Sequence, residues 1–175
     1  MNIKRMIRVS LFAAFLAVSV YLLPPILVPI IDVSVTLQTL FVMLIGYLLS
    51  PVEAFLSVLV YVLLGAIGLP VFSGLRGGIQ PIIGPTGGFI MLFPVVSYLI
   101  SKFKSKVRNK PYDLLIGFVF GIVMLYLVAT IWLSFSLGIN YFSALLGMLI
   151  FIPVDIIKLL IAYAIYLRLP KEIIR

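Results

Sequence analysis

Apolar residues occupy six long runs, at 6–23, 36–49, 52–69, 89–103, 114–133 and 144–167, and most polar residues fall in the segments between them. An amphipathic helix of a soluble protein alternates an apolar stripe with a polar face, whereas these runs are apolar on every side, as a helix in lipid must be. The run at 36–49 is short for a span. Pro24, Pro25, Pro51, Pro70, Pro85 and Pro111 mark the boundaries, where the chain leaves or enters helical geometry. The pattern predicts one all-α integral membrane domain over 1–175, with six transmembrane helices. The run at 6–23 starts basic like a secretion signal. Its end, Tyr21-Leu22-Leu23-Pro24-Pro25, lacks the small residues of a cleavage site, so it is expected to remain as a helix.

Composition makes a soluble reading untenable. The 175 residues are 64% hydrophobic and 10% charged, against roughly half apolar in globular domains. A soluble body of this size has too little interior to hide the surplus, so its solvent is expected to be the lipid bilayer. The chain has no His and no Cys. Imidazole bases, thiolate nucleophiles, soft metal sites and disulfides are thereby excluded.

The net charge of +8 could point to nucleic acid, and its placement decides otherwise. Lys4, Arg5 and Arg8 precede the first run. Lys102, Lys104, Lys106, Arg108 and Lys110 surround the fourth connection, and Arg168, Lys171 and Arg175 close the chain. Six alternating spans put all of these on one side, which is the positive-inside distribution with cytoplasmic N- and C-termini. Nucleic-acid binding is not needed to explain them.

Two connections on the opposite side are unusual. Residues 24–35 are apolar, with three prolines and one acid, Asp32, and residues 69–88 read LPVFSGLRGGIQPIIGPTGG. A loop this long, rich in glycine yet still apolar, is expected to fold back on the bundle as a lid or wall, although a purely structural re-entrant segment fits equally. No Gly-Lys-Ser/Thr follows its glycines, so it is not a phosphate-binding P-loop.

Asp155 and Lys158 are the one acid and base in the middle of an apolar run. Three residues apart, they share a helical face and can pair. Charges at this depth are costly, so the pair should face the bundle interior, either as a staple between helices or as a polar anchor for a ligand. Thr36, Gln38 and Thr39 lie at the outer end of the second helix, where Gln38 can donate and accept or simply pack. Arg76 is the only external cation and could read an anion or stay solvated. Ala13 and Ala17, and likewise Gly117 and Gly121, are small residues four apart that permit close helix approach.

The segments VTLQTLFVMLIGYLLSP at 35–51, LLGAIGLPVFSG at 63–74, GPTGGF at 84–89 and FIPVDIIKLLIA at 151–162, taken in this order, resemble the biotin-binding S components (BioY family) of energy-coupling factor transporters. Val154 stands where the family pattern has glycine, and Arg76 and Gln80 stand where smaller residues are usual. The resemblance implies a prokaryotic cell-membrane subunit that captures biotin from outside, with both external loops lidding the pocket. It also implies partners: a transmembrane coupling subunit and two ABC ATPases that use ATP and Mg, with no cofactor in this chain. Ala13 and Ala17 would then form the docking surface. Asp155, Lys158, Gln38, Thr36 and Arg76 would offer polar contacts to the vitamin, with Phe72 and Val71 as apolar ones. A membrane enzyme built on Asp155, Lys158 and Gln38 is a different class, disfavoured by the missing nucleophiles. An S component for another vitamin, or a transporter working alone, are the remaining alternatives.

Overall fold

The computed structural model describes residues 3–22, 26–28, 33–108 and 110–169, with backbone only at 26–28, 33–35 and 110. Leu23, Pro24, Pro25, Asp32, Lys171 and Arg175 lie outside the described residues. The chain runs α1 (Ile3–Leu22), β1 (Ile26–Val28), β2 (Val33–Val35), α2 (Gln38–Leu48), α3 (Pro51–Ala66), α4 (Gln80–Ile83), α5 (Gly87–Phe103), α6 (Lys110–Phe118), α7 (Leu125–Leu137), α8 (Tyr141–Met148) and α9 (Ile152–Arg168). The two strands pair antiparallel, Ile26 opposite Val35, as a minimal hairpin in the first connection. Among the described residues the remaining regular structure is helical, apart from a single bridge between Phe72 and Arg76 in the connection after α3.

Two of the six predicted helices are interrupted inside. A π-helical segment, Val119–Met124, joins α6 to α7, and a single 3-10 turn, Leu149–Phe151, joins α8 to α9. One extra residue in a helical turn offsets the faces by roughly 100°. With that offset, the face of α6 carrying Asp113 and Gly117 and the face of α7 carrying Leu125, Tyr126, Ala129 and Leu133 both turn inward. Among the described residues, three helical stretches are long and apolar enough to cross a membrane: Ile3–Leu22, Pro111–Leu137 and Tyr141–Arg168. Gln38–Leu48, Pro51–Ala66 and Gly87–Phe103 are apolar but shorter.

The bundle is organised around α2, which packs against α1, α5 and α9. Nearly every α2 side chain from Gln38 to Leu48 is buried, which explains an 11-residue helix that is apolar all round. Close approach is set by small residues: a methyl group on Gly121 would lie 2.7 Å from Met43 Sδ, and one on Gly46 2.8 Å from Ile100 Cβ. Gly117 sits in the same way against Tyr47 and Leu159. Gly117 and Gly121, the second pair of small residues four apart, therefore serve packing within this chain.

Helix ends are finished by specific polar groups. Ser50 and Glu53 form a capping box at the start of α3, and Glu53 also pairs with Arg8 at 2.9 Å, tying α1 to α3. Lys104 Nζ donates to the carbonyls of Gly46, Tyr47 and Leu49, closing the C-terminus of α2. Arg108 donates to the carbonyls of Leu167 and Leu169 and lies over the Tyr166 ring. These contacts gather Arg8, Lys104 and Arg108 at one end of the bundle. The outer faces meanwhile expose Ile131, Phe135, Phe142, Leu146 and Ile150, a surface suited to lipid.

Candidate ligand-binding site

The opposite end of the bundle holds the polar interior. In FIPVDIIK, Pro153 occupies the first turn of α9, so the helix restarts there and Asp155 falls in its first turn, where unpaired N–H groups favour a carboxylate. Lys158 follows one turn later on the same face. Its Nζ is 2.6 Å from Asp155 Oδ1 and 3.2 Å from Thr39 Oγ1. Thr39 donates to Asp155 Oδ1 at 3.0 Å, and Tyr126 donates to Asp155 Oδ2 at 2.6 Å. The pair is buried, with Asp155 3% and Lys158 7% exposed, so α2, α7 and α9 meet at one ionic cluster.

This cluster lines a cavity with an open volume of about 60 Å³. Thr36, just before α2, and Gln38, its first residue, form the rim, Phe89, Ile90 and Phe93 the wall on α5, and Met148 and Phe151 the wall on α8 and the 3-10 turn. Gln38 is itself held: its amide nitrogen donates to Tyr61 Oη and its oxygen accepts from Thr36 Oγ1 at 3.0 Å. Tyr61 in turn donates to the Val71 carbonyl at 3.1 Å. A second cavity of about 340 Å³ lies in the 69–88 connection, lined by Arg76, Gly77, Gln80, Pro81, Gly84, Pro85 and Thr86. Thr86 borders both cavities.

The predicted site residues thus divide. Asp155, Lys158, Gln38 and Thr36 come together in the first cavity, and Arg76 lies in the second. Phe72 and Val71 line neither. Phe72 is 1% exposed and wedged over Gly65, edge-on to Tyr61, where any side chain on Gly65 would overlap its ring. These two residues anchor the connection rather than face an open space, because the apolar side chains of a re-entrant loop are drawn to the bundle. Gly78 N–H donates to the Gly65 carbonyl, Tyr21 Oη to the Pro70 carbonyl and Trp132 Nε1 to the Gly84 carbonyl, which folds the connection back on α1, α3 and α7.

The expected docking face also needs correction. Ala13 is 1% exposed and packed inside the bundle, so it is closed to another chain, while Ala17 is half-buried. The α1 stripe of Val9, Ala13, Leu16 and Val20 is the face that packs on the core, and Ala13 falls within it by its i+4 and i+3 spacing. Tyr126, Thr86 and the apolar walls line the first cavity without a signal in the sequence that marks them. The register offset of the π-helical segment, on which Tyr126's inward position depends, leaves no mark in hydrophobic periodicity.

The helical bundle, with its buried acid–base pair at one end and its apolar exterior, has the fold of an S component. A crystal structure described as the S-component for biotin from an ECF-type ABC transporter superposes with a TM-score of 0.88, covering 94% of this chain and 89% of that one at 32% identity. The BioY family model matches residues 1–175. The chain is 40% identical over 169 residues to a protein of Pyrococcus horikoshii named "Probable biotin transporter BioY", covering 97% of this chain and 98% of that one. It is 34% identical over 168 residues to the "Biotin transporter BioY" of Thermotoga maritima, covering 96% of each. The chain belongs to the BioY family and is a multi-pass helical membrane protein.

Proposed function

We propose that this chain is the biotin-capturing subunit of an ECF-type uptake transporter. The observation that carries the reading, given the family, is the composition of the Asp155–Lys158 cluster. A carboxylate offers about four acceptor positions, and Asp155 uses three on Lys158, Thr39 and Tyr126. An ammonium offers three donors, and Lys158 uses two, on Asp155 and Thr39. One acceptor and one donor remain side by side. That is the complement of an N–H next to a C=O, the edge presented by the ureido ring of biotin. Gln38 and Thr36 supply further polar partners, Phe89, Phe93 and Met148 suit the thiophane ring, and Arg76 lies where it can reach an anionic group.

The cavity volume matches a handful of water molecules, so taking in a fused ring requires side chains to move. Met148, with its flexible thioether, is the wall best able to yield. In this reading all six helical stretches lie in the membrane, the basic end faces the cytoplasm, and the two opposite connections cover the ligand. The chain carries no nucleotide-binding motif, so reorientation and release are driven by ATP and Mg on two partner ATPases through a coupling subunit. Docking falls to the outward side of α1, where Ser10 and Ala14 are exposed beside the half-buried Ala17. Asp155 and Lys158 bind rather than catalyse, and the subunit is not an enzyme.

The test is mass spectrometry of the small molecule retained after mild detergent purification. Unmodified biotin at near-stoichiometric amount is the expected result, and a different vitamin recovered in its place would refute the substrate.

A further inference from the structure

Biotin carries two groups that seek a cation, a ring carbonyl and a tail carboxylate, and among the described residues the two cavities are lined by two cations, Lys158 in the first and Arg76 in the second. We infer that they are divided by cavity: Lys158 serves the ring, and Arg76 in the second cavity reads the tail carboxylate. The inference rests on the biotin reading above and adds which end lies where.

Charge balance argues for this division. Lys158 is 7% exposed and already neutralised by Asp155 at 2.6 Å, so the first cavity has no net charge to offer. An ionised carboxylate placed there would be a buried, uncompensated anion, which is among the costliest groups to desolvate. Arg76 presents the opposite case. Its side chain is exposed and has no hydrogen bond or ion pair to another described residue. Its guanidinium keeps all five donors in the planar fork that suits a carboxylate.

Position argues the same way. Arg76 lines the larger cavity, which shares Thr86 with the first, so a ligand anchored at Asp155 can pass its tail across Thr86. The backbone that carries Arg76 is also fixed. Phe72 N–H donates to the Arg76 carbonyl at 3.0 Å, and Phe72 is the buried wedge against Tyr61, whose hydroxyl holds Gln38 at the rim of the first cavity. Arg76 is therefore a specificity-determining residue on an anchored turn rather than a free surface charge.

The experiment compares biotin with biotinamide, its neutral primary amide, by isothermal titration calorimetry in detergent. Wild-type protein is expected to favour biotin by about tenfold or more, the scale of a charge-assisted hydrogen bond. In Arg76→Gln that preference collapses to within about twofold, and in Arg76→Lys a several-fold preference persists because the charge remains. An undiminished preference in Arg76→Gln overturns the assignment, and so does a wild-type protein that binds both compounds equally. Wild-type protein that binds neither compound removes the biotin reading itself, and the assignment with it.

Discussion

Tyr126 Oη donates to Asp155 Oδ2 over 2.6 Å, linking α7 to α9 at the bottom of the first cavity. The bond leaves a single acceptor position on Asp155 and fixes where it points. Hydrogen bonds to charged groups contribute about 1.5–3 kcal/mol. Tyr126→Phe is therefore expected to weaken biotin binding by at least about tenfold while the ring stays packed edge-on to Phe89. Titration calorimetry reads the affinity and a thermal melt the fold; unchanged affinity would show that Tyr126 does not orient the carboxylate.

The buried ion pair makes a separate statement about stability. Removing one member leaves an uncompensated charge, at a cost of roughly 3–5 kcal/mol, whereas replacing both by neutral groups of similar volume is often nearly neutral. Lys158→Ala should lower the melting temperature in detergent clearly, and the double variant Asp155→Asn/Lys158→Met should recover most of the loss. A double variant less stable than the single one would mean that the pair contributes net stability as a staple.

Much of this architecture could be read from the sequence, and the failures have physical causes. The six apolar runs fixed the order of the helices, and the DIIK spacing put Asp155 and Lys158 on one face, because both rest on the 3.6-residue period. The apolar run at 36–49 is helical as α2 over Gln38–Leu48; its uniform apolarity reflects burial among other helices, which composition cannot distinguish from contact with lipid. Phe72 was expected in the pocket because it lies in the glycine-rich connection, but a side chain drawn to Gly65 is set by tertiary packing alone. Ala13 has the spacing of a docking residue, yet periodicity does not tell which face of α1 the bundle takes. Tyr126 depends on the π-helical offset, invisible to any fixed period.

The two faces of α1 predict opposite outcomes for the same substitution. Ala14→Trp, on the exposed side, should block assembly with the coupling subunit and ATPases while biotin binding persists. Ala13→Trp would have to enter a packed interior and should destabilise the subunit itself by about 1–3 kcal/mol or more. Co-purification of the partner chains with each variant, beside a thermal melt, separates the two. Full assembly of Ala14→Trp would move the docking surface elsewhere.

Lys104 gives a pH dependence. Burial pushes its ammonium down to about 8; Asp113 opposes the shift, Arg108 adds to it, and Glu53 opposes it more weakly. A lysine in the unfolded chain titrates near 10.4, so between about pH 8 and 10.4 the unfolded state holds more protons than the folded one. Stability from this group therefore rises with pH across that window and is flat below it. The melting temperature of wild-type protein should gain on that of Lys104→Met between pH 8 and pH 10. A difference that is constant or shrinks would contradict the burial of the charged amine.

If the Asp155–Lys158 cluster holds the vitamin, neutralising both members abolishes binding. Calorimetric titration of biotin into wild-type protein and into Asp155→Asn/Lys158→Met, both shown to be folded and monodisperse, asks this directly. One-to-one binding to the wild type and none measurable to the double variant is the predicted result. Equal affinity in the two proteins would make the pair a link between helices and place the ligand elsewhere.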